Sequence, residues 1–89
     1  MRKVKIGAHT YEVREVEDHF ESGDLGQCDY AEQVIMITKG LKPEQYFAIL
    51  LHEAMEVMNT SMRHDILDSL AEQIAQFLLD NKLICLKKL

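Results

Sequence analysis

No stretch of this sequence holds the roughly 18 consecutive apolar residues that read as a transmembrane helix. The start, Met1-Arg2-Lys3-Val4-Lys5, is basic but lacks the apolar region of a secretory signal. Together these absences predict a cytoplasmic protein with no membrane partner. Basic charge is scarce as well. Ten Lys and Arg stand against fifteen Asp and Glu, a formal net charge of −5. That balance excludes the basic face a nucleic-acid binder needs, and Lys87 with Lys88 does not restore it. Cysteine is limited to Cys28 and Cys85, with no C-x-x-C pair, so free thiols in a reducing compartment are expected. Repeats, low-complexity tracts and linkers are absent.

What is there fits one domain, residues 1–89. A chain of this size buries roughly 60–65% of its unfolded surface, enough for one modest core. At 47% hydrophobic and 28% charged, the composition is that of an ordinary globular protein. Lys3 to Ile6 and Thr10 to Val16 alternate apolar and polar residues, with Tyr11 and Val13 on one side. Gly7-Ala8-His9 can turn the chain between them, which predicts a hairpin. Glu17 to Gly26 is acidic and reads as a loop or a short helical turn. Gln27-Cys28-Asp29 reads as a short strand, and Tyr30-Ala31-Glu32-Gln33 as a turn. Val34-Ile35-Met36-Ile37-Thr38 is apolar throughout, the pattern of a central strand covered on both faces.

A helix is expected from about Pro43 to about Asn59. Pro43 suits its first position, and Glu44 complements the positive end of its dipole. Phe47, Leu50, Leu51, Ala54 and Met58 recur at three-and-four spacing, which places Leu51 and Met58 in the core. Asp65 reads as the N-cap of a second helix, with Asp68 echoing a capping box. That helix has an apolar stripe of Ile66, Leu67, Leu70, Ala71, Ile74, Phe77 and Leu78, and Asn81 is its stop. Leu83 to Leu86 reads equally as a short strand or as a docked tail. The fold class is therefore α+β, a small antiparallel or mixed sheet packed against two helices.

The chemistry sits in Leu51-His52-Glu53-Ala54-Met55-Glu56. His52 and Glu56 are one helical turn apart, so an imidazole and a carboxylate can close on one metal ion. Glu53 follows about 100° further round, where zinc hydrolases with an H-E-x-x-H helix carry their general base. That direction differs from the one His52 and Glu56 share, so Glu53 is not expected as a ligand. The last position of the motif is Glu56 here, in place of His. The same residues also fit the polar stripe of a solvated helix, since Gln45, His52, Glu56, Asn59 and Arg63 fall on one side. Against pure solvation, Ala48 and Ile49 flank that stripe and Met55 interrupts it.

Catalytic zinc usually takes three protein ligands, and two His with one Glu is a known set. The missing group is then a second His. His64 lies eight residues after Glu56, where the turn Asn59–Arg63 can fold it back, with Asp65 fixing its place as the cap. Alternatively, it is an exposed loop histidine. His9 and His19 are weaker candidates, and Glu72 is the alternative carboxylate or a solvated helix residue. Cys28 reads as a small buried hydrophobe without a catalytic role. Met36, Met55, Met58 and Met62 read as core filler.

Leu25-Gly26, Asp29-Tyr30, Pro43-Glu44-Gln45, Leu51-His52-Glu53, Leu70-Ala71 and Leu78-Leu79-Asp80-Asn81 occur in an order that resembles a known family. It is the minimal zincin-like proteins of bacteriophages and mobile elements, compact relatives of the ImmA/IrrE metallopeptidases. The resemblance covers about Val4 to Asn81. Larger members carry His-Glu-x-x-His and a downstream acidic ligand; here Glu56 replaces the second His, and His64 stands about where the acidic ligand would be. Such an exchange preserves the ligand set. The resemblance implies a zincin-like fold, zinc as cofactor and peptide-bond cleavage.

The reading is then a zinc site of His52, Glu56 and His64, with Glu53 taking the proton as water attacks a peptide carbonyl. An extended peptide or protein substrate would add to the edge of the sheet that contains Val34–Thr38. A non-catalytic zincin-like module that binds a partner protein is the alternative, and a structural domain without metal is a third.

Overall fold

The computed structural model describes residues 2–17 and 23–85. Its architecture is α+β: a four-stranded mixed sheet and two helices. Strands β1 (Arg2–Ile6) and β2 (His9–Val16) form the expected antiparallel hairpin, with Gly7 at φ +61° in its turn. The sheet order is β1-β2-β4-β3, where β3 is Gly26–Asp29 and β4 is Val34–Thr38. Strand β4 pairs in parallel with β2 and antiparallel with β3. It is thus central, and β3 forms one edge. Of the acidic stretch, residues 18–22, with His19, lie outside the described residues.

A helix covers one face of β4, and the other face is buried as well: Val34 and Thr38 are each 7% exposed there, and only Met36 is half-buried. Ile35 and Ile37 are fully buried toward helix α1 (Pro43–Met58). On the other face Met36 is half-buried beside Glu12 and Arg14 of β2, whose side chains form an ion pair.

Helix α1 starts at Pro43, with Glu44 in its first turn and no side-chain cap from Lys42. It packs between the sheet and α2 (His64–Asp80). Tyr46 and Leu50 join Ile6, Tyr11, Val13, Ile35 and Ile37 in the main core. On its other side Met55, helped by Leu51, meets Leu67 and Ala71 of α2. The placement of Met58 in the core is corrected: it is 65% exposed, and Leu51 is half-buried against α2. Three-and-four spacing marks several lines on a helix pressed from two sides, and the sheet takes the Tyr46–Leu50 line.

Among the described helices and strands, α2 packs only on α1, so a narrow line of Leu67, Ala71 and Ala75 suffices to bury it. Ile66, Leu70 and Phe77, assigned to its stripe by spacing, are exposed. Its N-cap is Arg63, not Asp65. Asp65 lies in the first turn and accepts a hydrogen bond from Arg63 Nη2 at 2.8 Å. Leu83 to Cys85 form no strand, and residue 86 lies outside the described residues. Among the described residues no helix is long and apolar enough to cross a membrane.

Candidate metal centre

The middle of α1 presents different residues to three neighbours. Glu53 falls one turn beyond Leu50 and Ile49, on the side that faces the sheet, and is only 6% exposed. It reaches that place because β3 approaches closely at Gly26. A Cβ built on Gly26 would stand 2.6 Å from Ile49 Cγ2 and 3.4 Å from Glu53 Oε2. His52 and Glu56 lie at the lip between β3 and α2, and both are half-buried. The short turn after Asn59 returns the chain so that His64, the first residue of α2, stands over them.

His52, Glu56 and His64 each offer one ligand atom, and these three atoms all lie within 4.8 Å of one another. Glu56 Oε2 is 3.7 Å from His52 Nε2 and 3.7 Å from His64 Nε2. Two ligands on a tetrahedral zinc at ~2.1 Å bonds stand about 3.4 Å apart, so the spacing fits a metal after small side-chain adjustment. The donor chemistry fits as well, since two imidazoles and a carboxylate are a zinc set.

The surroundings complete the geometry. Tyr30 O–H, from the turn after β3, donates to Glu56 Oε1 at 2.8 Å. His52 Nδ1 lies 2.8 Å from Asp68 Oδ1 of α2. Glu53 Oε2 is 3.7 Å from His52 Nε2, beside the three ligand atoms. His52, Glu53, Glu56, His64 and Asp68 line a cleft of about 220 Å³ whose β3 wall is Gly26, Gln27 and Cys28.

Burial, and then the negative charges of Glu56, Asp24 and Asp68, push the Glu53 carboxyl up to about 7. Burial, with Glu53 and Glu56 adding to it, pushes the Cys28 thiol up to about 11, so it is no nucleophile at neutral pH. Burial and the hydrogen bond to Glu56 raise the Tyr30 hydroxyl.

Among the other candidates, His9 is exposed on β2, with Nδ1 3.4 Å from Gln33 Nε2. Glu72 is exposed on α2 and is not among the three converging residues. Sequence reasoning missed Asp68 as a neighbour of the site and gave Tyr30 no contact with Glu56. Asp68 lies four residues after His64 on the same helical face, a signal that was present. The role of Gly26 depends on how close a strand comes to a helix, which no local pattern shows.

The fold and site together define an α+β domain with a possible metal-binding triad drawn from two packed helices. No protein-family model, curated protein or solved structure matches the chain.

Proposed function

We propose that this domain is a small zinc-dependent peptidase of the zincin-like kind, with His52, Glu56 and His64 as ligands and Glu53 as general base. One observation carries the reading: three donor atoms from two helices converge within 4.8 Å beside a buried carboxyl. The Leu51-His52-Glu53 motif and the zincin-like order of the sequence support it. When bound, zinc supplies Lewis acidity.

The residues of the chain supply the rest. Glu53 accepts a proton from the water that attacks the peptide carbonyl and returns it to the leaving amine nitrogen. A carboxyl held near 7 in the metal-free cleft suits proton transfer at neutral pH; a divalent cation nearby would draw it down.

The edge strand β3 offers a place for an extended substrate. Thr38 N–H donates to Leu25 C=O at 2.9 Å. With Gly26 opposite Ile37, antiparallel alternation turns the backbone groups of Gly26 and Cys28 toward the open edge. These groups flank the cleft and can pair with a peptide added as a further strand.

The test is hydrolysis of an unstructured polypeptide by the zinc-loaded protein and by Glu53→Gln. The variant should keep its zinc and lose hydrolysis. Equal hydrolysis by the variant rejects Glu53 as base. A wild-type protein that holds zinc yet cleaves nothing favours the non-catalytic protein-binding module.

A further inference from the structure

We propose that Asp68 and Tyr30 are the positioning residues of the metal site, fixing which atom His52 and which oxygen of Glu56 face the metal. The inference rests on the zinc site proposed above and adds two residues that are not ligands.

Asp68 acts through a tautomer. An ionised carboxylate can only accept hydrogen bonds. At 2.8 Å from Asp68 Oδ1, Nδ1 is the ring nitrogen of His52 placed to carry the proton toward that carboxylate. In the neutral imidazole the lone pair is then on Nε2. Nε2 is the atom that stands 3.7 Å from Glu56 Oε2. A ligand histidine whose second nitrogen donates to a carboxylate is held in orientation and becomes a better base. Asp68 is well placed for this, one turn after His64 on the same helix. Helix α2 thus sends one residue to the metal and another to hold its partner ligand on α1.

Tyr30 does the same for the carboxylate. Its hydroxyl donates to Glu56 Oε1 at 2.8 Å, which engages one oxygen. The other oxygen, Oε2, is the one equidistant from His52 Nε2 and His64 Nε2. Both contacts therefore favour the same pair of atoms, although Tyr30 and Asp68 lie on opposite sides of α1.

The experiment uses Zn²⁺ alone, competed against a chromophoric chelator, with wild type, Asp68→Ala, Asp68→Asn, Tyr30→Phe and His52→Ala. Removing such a partner typically lowers metal affinity about 10–100-fold, and that loss is expected for Asp68→Ala and Tyr30→Phe. Asp68→Asn keeps an acceptor and should recover part of it. The His52 tautomer is read by nitrogen NMR on the metal-free protein at about pH 8.5, roughly two units above the ordinary histidine value. Wild type should show the proton on Nδ1, and Asp68→Ala should lose that preference with its fold intact. A wild-type proton on Nε2 overturns the proposal. So does unchanged zinc affinity in both Asp68→Ala and Tyr30→Phe while His52→Ala loses binding, an outcome that leaves the metal site standing. A wild-type protein that takes up no zinc removes the site and this inference with it.

Discussion

The imidazole rings of His52 and His64 stand 6.0 Å apart, centroid to centroid, although they belong to different helices. A single turn between α1 and α2 brings them together, with Glu56 between their Nε2 atoms. A metal held by one helix alone would have one imidazole and one carboxylate, fewer ligands than zinc normally takes. We therefore expect His64→Ala to lower zinc affinity about as much as His52→Ala, and His9→Ala to leave it unchanged. Titration calorimetry with Zn²⁺ on the three variants decides this; full affinity in His64→Ala rejects the two-helix site.

Glu53 makes the metal-free protein sensitive to pH. Its carboxyl sits at about 7 in the fold against an ordinary value of 4.5. The folded state therefore holds its proton more tightly. The stability this gives is fully present below about 4.5 and is lost as pH rises through 7. At roughly 1.4 kcal/mol per unit the loss is of order 3 kcal/mol. Glu53→Gln cannot ionise, so metal-free Glu53→Gln should be the more stable protein at pH 8 and should lack this slope. Urea unfolding of both proteins across the range checks it. Parallel profiles would show that Glu53 is ionised in the fold.

Gly26 marks the close approach of β3 to α1. An alanine methyl there would meet Ile49 Cγ2 at 2.6 Å. Ile49 is β-branched and stiff within a helix, so it cannot swing aside cheaply. Overpacking of this kind costs about 1–3 kcal/mol. Gly26→Ala should show that loss in chemical denaturation, together with weaker hydrolysis if β3 holds the substrate. A stability change under about 0.5 kcal/mol, typical of surface sites, would mean that β3 and α1 stand further apart.

Much of this was legible in the residues. Alternation identified the β1–β2 hairpin, and the apolar run at Val34 identified the central strand. The one-turn spacing of His52 and Glu56, and the chain length to His64, pointed to the converging triad. The misplaced apolar residues had a common cause. Periodicity says that a helix has an apolar line but not how many neighbours share it. Met58 therefore looked buried, while Leu50 and Tyr46 hold the sheet contact. Leu50→Ala should accordingly cost about 2–5 kcal/mol, and Met58→Ala should stay within about 0.5 kcal/mol. Asp68 was ambiguous for a different reason. Three residues after Asp65 it fits a capping box, and four after His64 it fits a shared face; only the α1–α2 packing distinguishes the two.

That packing leads to a last prediction. Helix α2 is held by a small cluster, Met55 with Leu67 and Ala71, and it packs on α1 but not on the sheet. Ile66, Leu70 and Phe77 contribute little to holding it, because they are exposed. A helix with few buried contacts opens locally at lower free energy than the main core. Zinc binding needs His64 from α2 and His52 with Glu56 from α1, so only the docked state can use all three. A ligand at 100 times its Kd stabilises the state that binds it by about 2.7 kcal/mol. Amide exchange through α2 should then slow about 100-fold on adding zinc, where exchange proceeds by undocking. Amides of the β4 core that exchange by unfolding of the whole domain should slow by the same factor, because that opening also releases the metal. His64→Ala should abolish the effect, whereas an undiminished zinc response in that variant would show that α2 is not tied down through the metal.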